Sequence, residues 1–193
     1  MRKILVFGII SLVVFSCQTN NKTLTLSEQQ DYLSKGDSIA TQAQQVLMKN
    51  VSAAIQEKGV AGAVDFCNIN AMPLTDSVSN LNAVSIQRIS EKNRNPNNAI
   101  VSELDKSALE QIKKMMADAT IADKHLILQE SGNVYYYKPI PLGMPTCLSC
   151  HGNTTTDITP ETLKVIQTKY PTDKATGYQL GELRGLWKIK MNS

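Results

Sequence analysis

The chain has 193 residues, 42% hydrophobic and 19% charged, a balance that excludes a disordered polypeptide and suits one globular domain with a leader or tail. Its net charge of +3 is small and its lysines and arginines are scattered, so nothing in the composition points to nucleic acid. With four cysteines and two histidines in the whole chain, any cluster of them needs a chemical reason.

Arg2 and Lys3 precede an uncharged apolar run from Ile4 to Phe15, which ends at Ser16-Cys17. That is the pattern of a secretory leader, and the run is shorter than the about 20 residues a spanning helix needs. The segment LVVFSC is similar to a bacterial lipobox, in which cleavage leaves Cys17 as a lipidated N-terminus; the alternative is an uncleaved signal anchor. Either form is exported. The lipidated form predicts a membrane-anchored, periplasm-facing protein of the bacterial cell envelope, with signal peptide over 1–16, polar tether over 17–26 and folded domain over 27–193.

Ser27 and Gln30 read as a capping box. Apolar residues at helical spacing through Leu33, Ile39, Val46, Leu47, Val51, Ala54 and Ile55 predict a long amphipathic helix up to Gly59. A shorter helix over 60–71 follows, closed by Pro73. AVSIQRIS alternates as a strand, EKNRNPNN is dense in turn formers, and a second long helix runs through Leu104, Leu109, Ile112 and Met116. HLILQE and VYYYKPI flank SGN as a hairpin, in which Tyr135, Tyr136 and Tyr137 alternate across the strand as sheet core and surface. Thr159 and Pro160 start a short helix, and GYQLGELRGLWKIKM supplies one or two closing strands. The expected class is α+β, an antiparallel sheet flanked by helices.

Between the hairpin and the short helix lies MPTCLSCHGN, with Cys147, Cys150 and His151 at the Cys-x-x-Cys-His spacing. Two thiols so placed can form thioethers to the vinyl groups of haem while the adjacent imidazole reaches the iron, which predicts one covalent haem c with His151 as proximal ligand. Gly152 would let the backbone approach the macrocycle. Zinc would need further ligands, for which Cys67 and His125 are available. Thioredoxin-type chemistry expects a helix after the pair, and nothing there is strongly helical; a plain disulfide is the simplest structural alternative.

Several segments together, AVDFCNINA, QRISEKNRNPNNA, YYYKPI, CLSCHG and GYQLGELRG, resemble a bacterial family of c-type haem domains with a PAS-like fold. Such domains stand alone in the cell envelope or form the sensory part of membrane signalling proteins. The resemblance covers nearly all of 27–191 and implies that the iron is held between His151 and Cys67. Independently, lipidation and haem attachment use the other three cysteines, so Cys67 is a lone thiol in an oxidising compartment and must be buried or ligated. Ala63 and Ala71 lie four positions either side of it, so a small core residue is the competing reading. His125 is the second choice for the sixth position, and the methionines read as core gap-fillers. Arg88 and Arg94 could pair with haem propionates, against the reading of a solvated turn.

No Ser/His/Asp constellation and no phosphate-binding glycine motif is visible, so substrate turnover is not expected. The sequence reading is electron transfer or redox or ligand sensing, working with a redox partner or signalling protein. The rival is a haem-free interaction domain with the cysteine pair as a disulfide or zinc clip.

Overall fold

Thr25, two residues ahead of the expected Ser27, caps the first helix. Its hydroxyl accepts from the Glu28 N–H at 3.2 Å while the Glu28 carboxylate accepts from the Thr25 N–H at 2.8 Å, a reciprocal capping box. The computed structural model describes residues 23–191; the leader, Cys17 and most of the tether lie outside the described residues. Helix α1 spans Leu26–Asn82 and is broken in direction at Gly59, whose φ of 70° and ψ of 179° belong to a region essentially reserved for glycine. Gly59 therefore separates two helical halves, as the sequence suggested.

Pro73 does not close the second half, which continues to Asn82. The carbonyl that Pro73 leaves without an N–H belongs to Ile69, whose side chain is exposed, so water can serve it, while Ala71, Thr75 and Val78 on the opposite side are buried. Burial of that stripe outweighs the local cost of proline. The helix stops at Ala83, in left-handed conformation with φ of 50°, where Ser79 Oγ donates to the Val84 carbonyl at 2.6 Å and accepts from the Ile86 N–H at 3.0 Å.

Strands β1 (Ser85–Ile89), β2 (Leu126–Glu130), β3 (Asn133–Pro141) and β4 (Leu183–Lys190) form an antiparallel sheet in the order β1-β4-β3-β2. The closing segment is thus one strand, inserted between β1 and β3. The pleat puts Ile86, Val134, Tyr136, Trp187 and Ile189 on one face, against Ile39, Ala40 and Ala43 of α1. The other face presents Ile89, Leu126, Tyr137 and Leu186 to Ala108, Leu109 and Ile112 of α2 (Glu103–Ala117). Each large side chain so buried contributes roughly 1.5–3 kcal/mol. Tyr136 and Tyr137 are accordingly both core, on opposite faces, because helices cover both sides of the sheet; Tyr135 is half-buried.

Gly36 lets the first half of α1 lie directly on the Tyr136 ring, since a Cβ there would overlap it. A single helical turn, α3 (Leu148–His151), and helix α4 (Pro160–Lys169) complete the elements that matter below. The whole is an α+β arrangement of a four-stranded antiparallel sheet flanked by helices, consistent with a PAS-like fold. Among the described residues no helix is long and apolar enough to cross a membrane.

Candidate functional site

The second half of α1 packs against α3 and α4, and this brings Cys67 to the Cys-x-x-Cys-His turn. Cys150 sits on an apolar cluster of Val64 from α1, Ile158, and Ile166 and Tyr170 from α4 and its end. Lys169 clamps α4 to α1 through Asp65 at 2.6 Å. Cys147 packs on Leu142, Ala175 and Tyr178. The turn itself starts at Pro145, passes through a 3-10 segment and becomes a single helical turn from Leu148 to His151, and among the described residues no further helix follows the pair before Pro160. Gly152 ends it by donating to the Leu148 carbonyl at 2.8 Å. A Cβ on Gly152 would lie 2.5 Å from the Asp157 carboxylate, so the chain's own turn already requires the glycine.

His151 is fixed through Nδ1, which lies 2.8 Å from the Ala175 carbonyl. A carbonyl oxygen only accepts, so Nδ1 carries the proton and Nε2 keeps its lone pair. Burial, reinforced by the charges of Arg94, Arg184 and Arg88, holds the imidazole pKa well below its ordinary value despite the Ala175 bond. The ring is therefore neutral at pH 7 and a competent ligand. Tyr178 stands edge-on to it at 6.4 Å between centroids, and the Tyr178 N–H donates to the His151 carbonyl at 3.0 Å.

The thiols of Cys150 and Cys67 are held protonated by their surroundings. Burial pushes Cys150 up to about 11, against the opposing charge of Arg94, and Cys67 is also raised by burial against the charges of Arg88 and Arg94. Cys67, Cys147 and Cys150 are all free, so the disulfide alternative is not realised. Among the described residues no three His, Cys, Asp or Glu side chains converge as a metal site.

Arg94 is an internal brace. Its Nε donates to Asp173 at 3.1 Å, and its Nη2 donates to the carbonyls of Cys150 at 2.7 Å and Ala175 at 3.3 Å and to the second Asp173 oxygen at 3.3 Å. Asp173 in turn accepts from the Ala175 N–H at 3.0 Å. Arg94 thus ties the cysteine turn to the loop whose carbonyl orients His151, so these donors are engaged with protein rather than left for a propionate. Arg88 differs: its Nη2 reaches the Ala71 carbonyl at 3.3 Å, but its buried Nε has no acceptor.

His125 is engaged elsewhere. Its Nδ1 lies 3.0 Å from the Tyr136 hydroxyl, which donates to Asp37, and Asp37 is also held by Lys138 at 2.7 Å. This cluster belongs to the first half of α1, beyond the Gly59 kink from Cys67. Asp173, Ala175, Tyr178 and Arg184 were not singled out from the sequence; the nearest signal was the turn-forming TDKATG ahead of the GYQLGELRG segment.

Residues 24–192 match the Tll0287-like family. The chain belongs to that family. No curated protein matches this Tll0287-like chain. Among solved structures it is similar to the cyanobacterial heme-protein Tll0287, with a TM-score of 0.59 and 22% identity over 83% of this chain and 94% of that one. At that identity the likeness establishes a shared fold.

Proposed function

We propose that this chain is a monohaem c-type protein of the bacterial cell envelope that transfers electrons or senses redox state or ligands. Cys147 and Cys150 would carry the thioethers, and His151 and Cys67 would hold the iron. The observation that carries the reading is the Ala175 carbonyl on His151 Nδ1. It presents a neutral imidazole with a free Nε2 lone pair one residue from a free thiol of the attachment spacing.

The surroundings fit the group. The donor set is two free thiols, a neutral imidazole and a further thiol on the facing helix, and the orphaned Arg88 Nε beside Cys67 suits an anionic partner such as a thiolate or propionate. When bound, haem supplies one-electron Fe(III)/Fe(II) chemistry. The chain's own contribution is to orient His151 through Ala175, hold the attachment turn through Arg94, and keep water off the cluster with Val64, Ile166 and Tyr170. With both residues as ligands, the iron would lack a site for substrate, which supports carrier or sensor over enzyme. The similarity in fold to a heme-protein supports the same reading, and Cys17 would anchor the domain through lipid.

Co-expression with a cytochrome c maturation system should give a chain whose intact mass after denaturation includes one haem, and Cys147→Ser with Cys150→Ser should abolish it. Covalent haem retained in that double variant overturns the assignment. Palmitate labelling should be lost in Cys17→Ala, and unchanged labelling removes the anchor.

A further inference from the structure

On the α2 side of the sheet, a cavity of about 330 Å³ opens where the ends of β1 and β4 meet the turn at 177–182. None of Cys67, Cys147, Cys150 and His151 lines it. Leu109, Leu183 and Tyr178 give it apolar walls, and Lys92, Lys113 and Arg184 bring positive charge. The carboxylates of Glu91 and Glu182 also line it; Glu91 accepts from Lys113 Nζ at 3.1 Å and Glu182 from the Gln179 N–H at 2.8 Å. Lys113 is also held by Glu110 at 3.0 Å and Lys92 Nζ donates to the Thr176 carbonyl at 2.8 Å, so each lysine keeps only part of its donor capacity for a ligand.

Arg184 is incompletely used. Its Nη1 donates to Ser90 Oγ at 2.8 Å and to the Lys92 carbonyl at 3.1 Å, yet its buried Nε has no acceptor. A buried N–H of a charged group left unpaired is costly, and the guanidinium fork matches the two oxygens of a carboxylate. Lys92 and Arg184 both lie over the Tyr178 ring, 4.2 and 5.6 Å from its centroid, so the charge is concentrated at one wall. The volume is at the lower end of the range for small-ligand pockets, about 300–1,000 Å³, enough for an acid of a few carbons.

We infer that this cavity is a carboxylate-binding site, with Arg184 as anchor, Lys92 and Lys113 as supporting charges, and Leu109, Leu183 and Tyr178 around the carbon body. The carboxylate has two available sources. One is a free small organic acid; the other is the propionate edge of the haem proposed above, because Tyr178 is the shared wall between the cavity and His151. Only the second source rests on the haem reading.

Calorimetric titration with succinate and with inorganic phosphate decides it, run on the haem-free Cys147→Ser/Cys150→Ser chain and on the haem-loaded chain. The haem-free chain should bind succinate saturably. Arg184→Gln should abolish binding, Lys113→Ala, at a half-exposed residue whose loss spares the fold, should weaken it about tenfold, and Glu91→Gln should tighten it. Succinate binding that persists after haem loading assigns a free acid, and binding lost on loading assigns the haem carboxylates. Absence of saturable succinate binding to the haem-free chain, binding unaffected by Lys113→Ala, or phosphate bound as tightly as succinate overturns the inference. Failure to load haem at all is seen separately, in the intact mass, and leaves the haem-free titration to stand on its own.

Discussion

Replacing Arg94 by methionine should unlock the loop that orients His151. The ion pair with Asp173 is nearly dry, with side-chain exposures of 11% and 9%, and the same guanidinium serves the Cys150 and Ala175 carbonyls. Methionine fills most of the volume but leaves the Asp173 carboxylate buried without its cation. Removing one partner of a buried pair costs about 3–5 kcal/mol, a large share of the roughly 5–15 kcal/mol that holds a domain together. At about 2–4 °C per kcal/mol for a chain of this size, the thermal midpoint should fall by roughly 6–20 °C. Urea unfolding of the haem-free chain, followed by Trp187 fluorescence, measures the loss. The further change Asp173→Leu should restore at least half of it, since two apolar partners leave no buried charge. A single variant within about 1 kcal/mol of wild type, or a double variant no better than the single, refutes the account of Arg94 as a brace.

Gly36→Ala should destabilise by about 1–3 kcal/mol despite alanine's better helix propensity, because its Cβ meets the immobile Tyr136 ring; an unchanged urea midpoint would show that α1 can lift off the sheet. Alkaline stability follows from Tyr136 and Tyr137, whose hydroxyls are held above their ordinary pKa of 10.0 first by burial and then by Asp37 and Asp105. The unfolded chain releases those protons near pH 10 and the folded chain keeps them. Their contribution is therefore intact below about pH 10 and lost above it, at roughly 1.4 kcal/mol per pH unit for each group. Urea midpoints at pH 8, 9.5 and 11 should fall steeply at the last step, less so in Tyr137→Phe, and a flat profile contradicts the assignment.

What could be read from the sequence follows the range of the interactions involved. Cys147, Cys150 and His151 were legible because their chemistry depends on linear spacing, and the strand was legible in the alternation of VYYYKPI, whereas the burial of both its faces was not, because the cover that α2 gives the second face is a tertiary effect. Cys67 was not legible from spacing, since its neighbours on the α1 stripe are alanines; the family resemblance alone placed it opposite the motif. Arg94 was read as a solvated or propionate-binding residue because its partner Asp173 lies 79 positions away, a pairing no local pattern announces. His125 was weighed as an iron ligand for the same reason, with Asp37 and Tyr136 reached only through the fold. Pro73 misled because propensity sees one missing N–H, while the buried stripe of Ala71, Thr75 and Val78 is a tertiary effect.

The central claim is that His151 and Cys67 would both hold the haem iron, and Cys67→Ala tests it most directly in the haem-loaded chain. A thiolate donates electron density and stabilises Fe(III), so its removal should open one axial position. The account predicts that the variant keeps its covalent haem, shifts its ferric spectrum toward high spin, binds added imidazole more tightly and rises in reduction potential, while His125→Ala changes none of these. A Cys67→Ala chain with the wild-type spectrum and potential would contradict it.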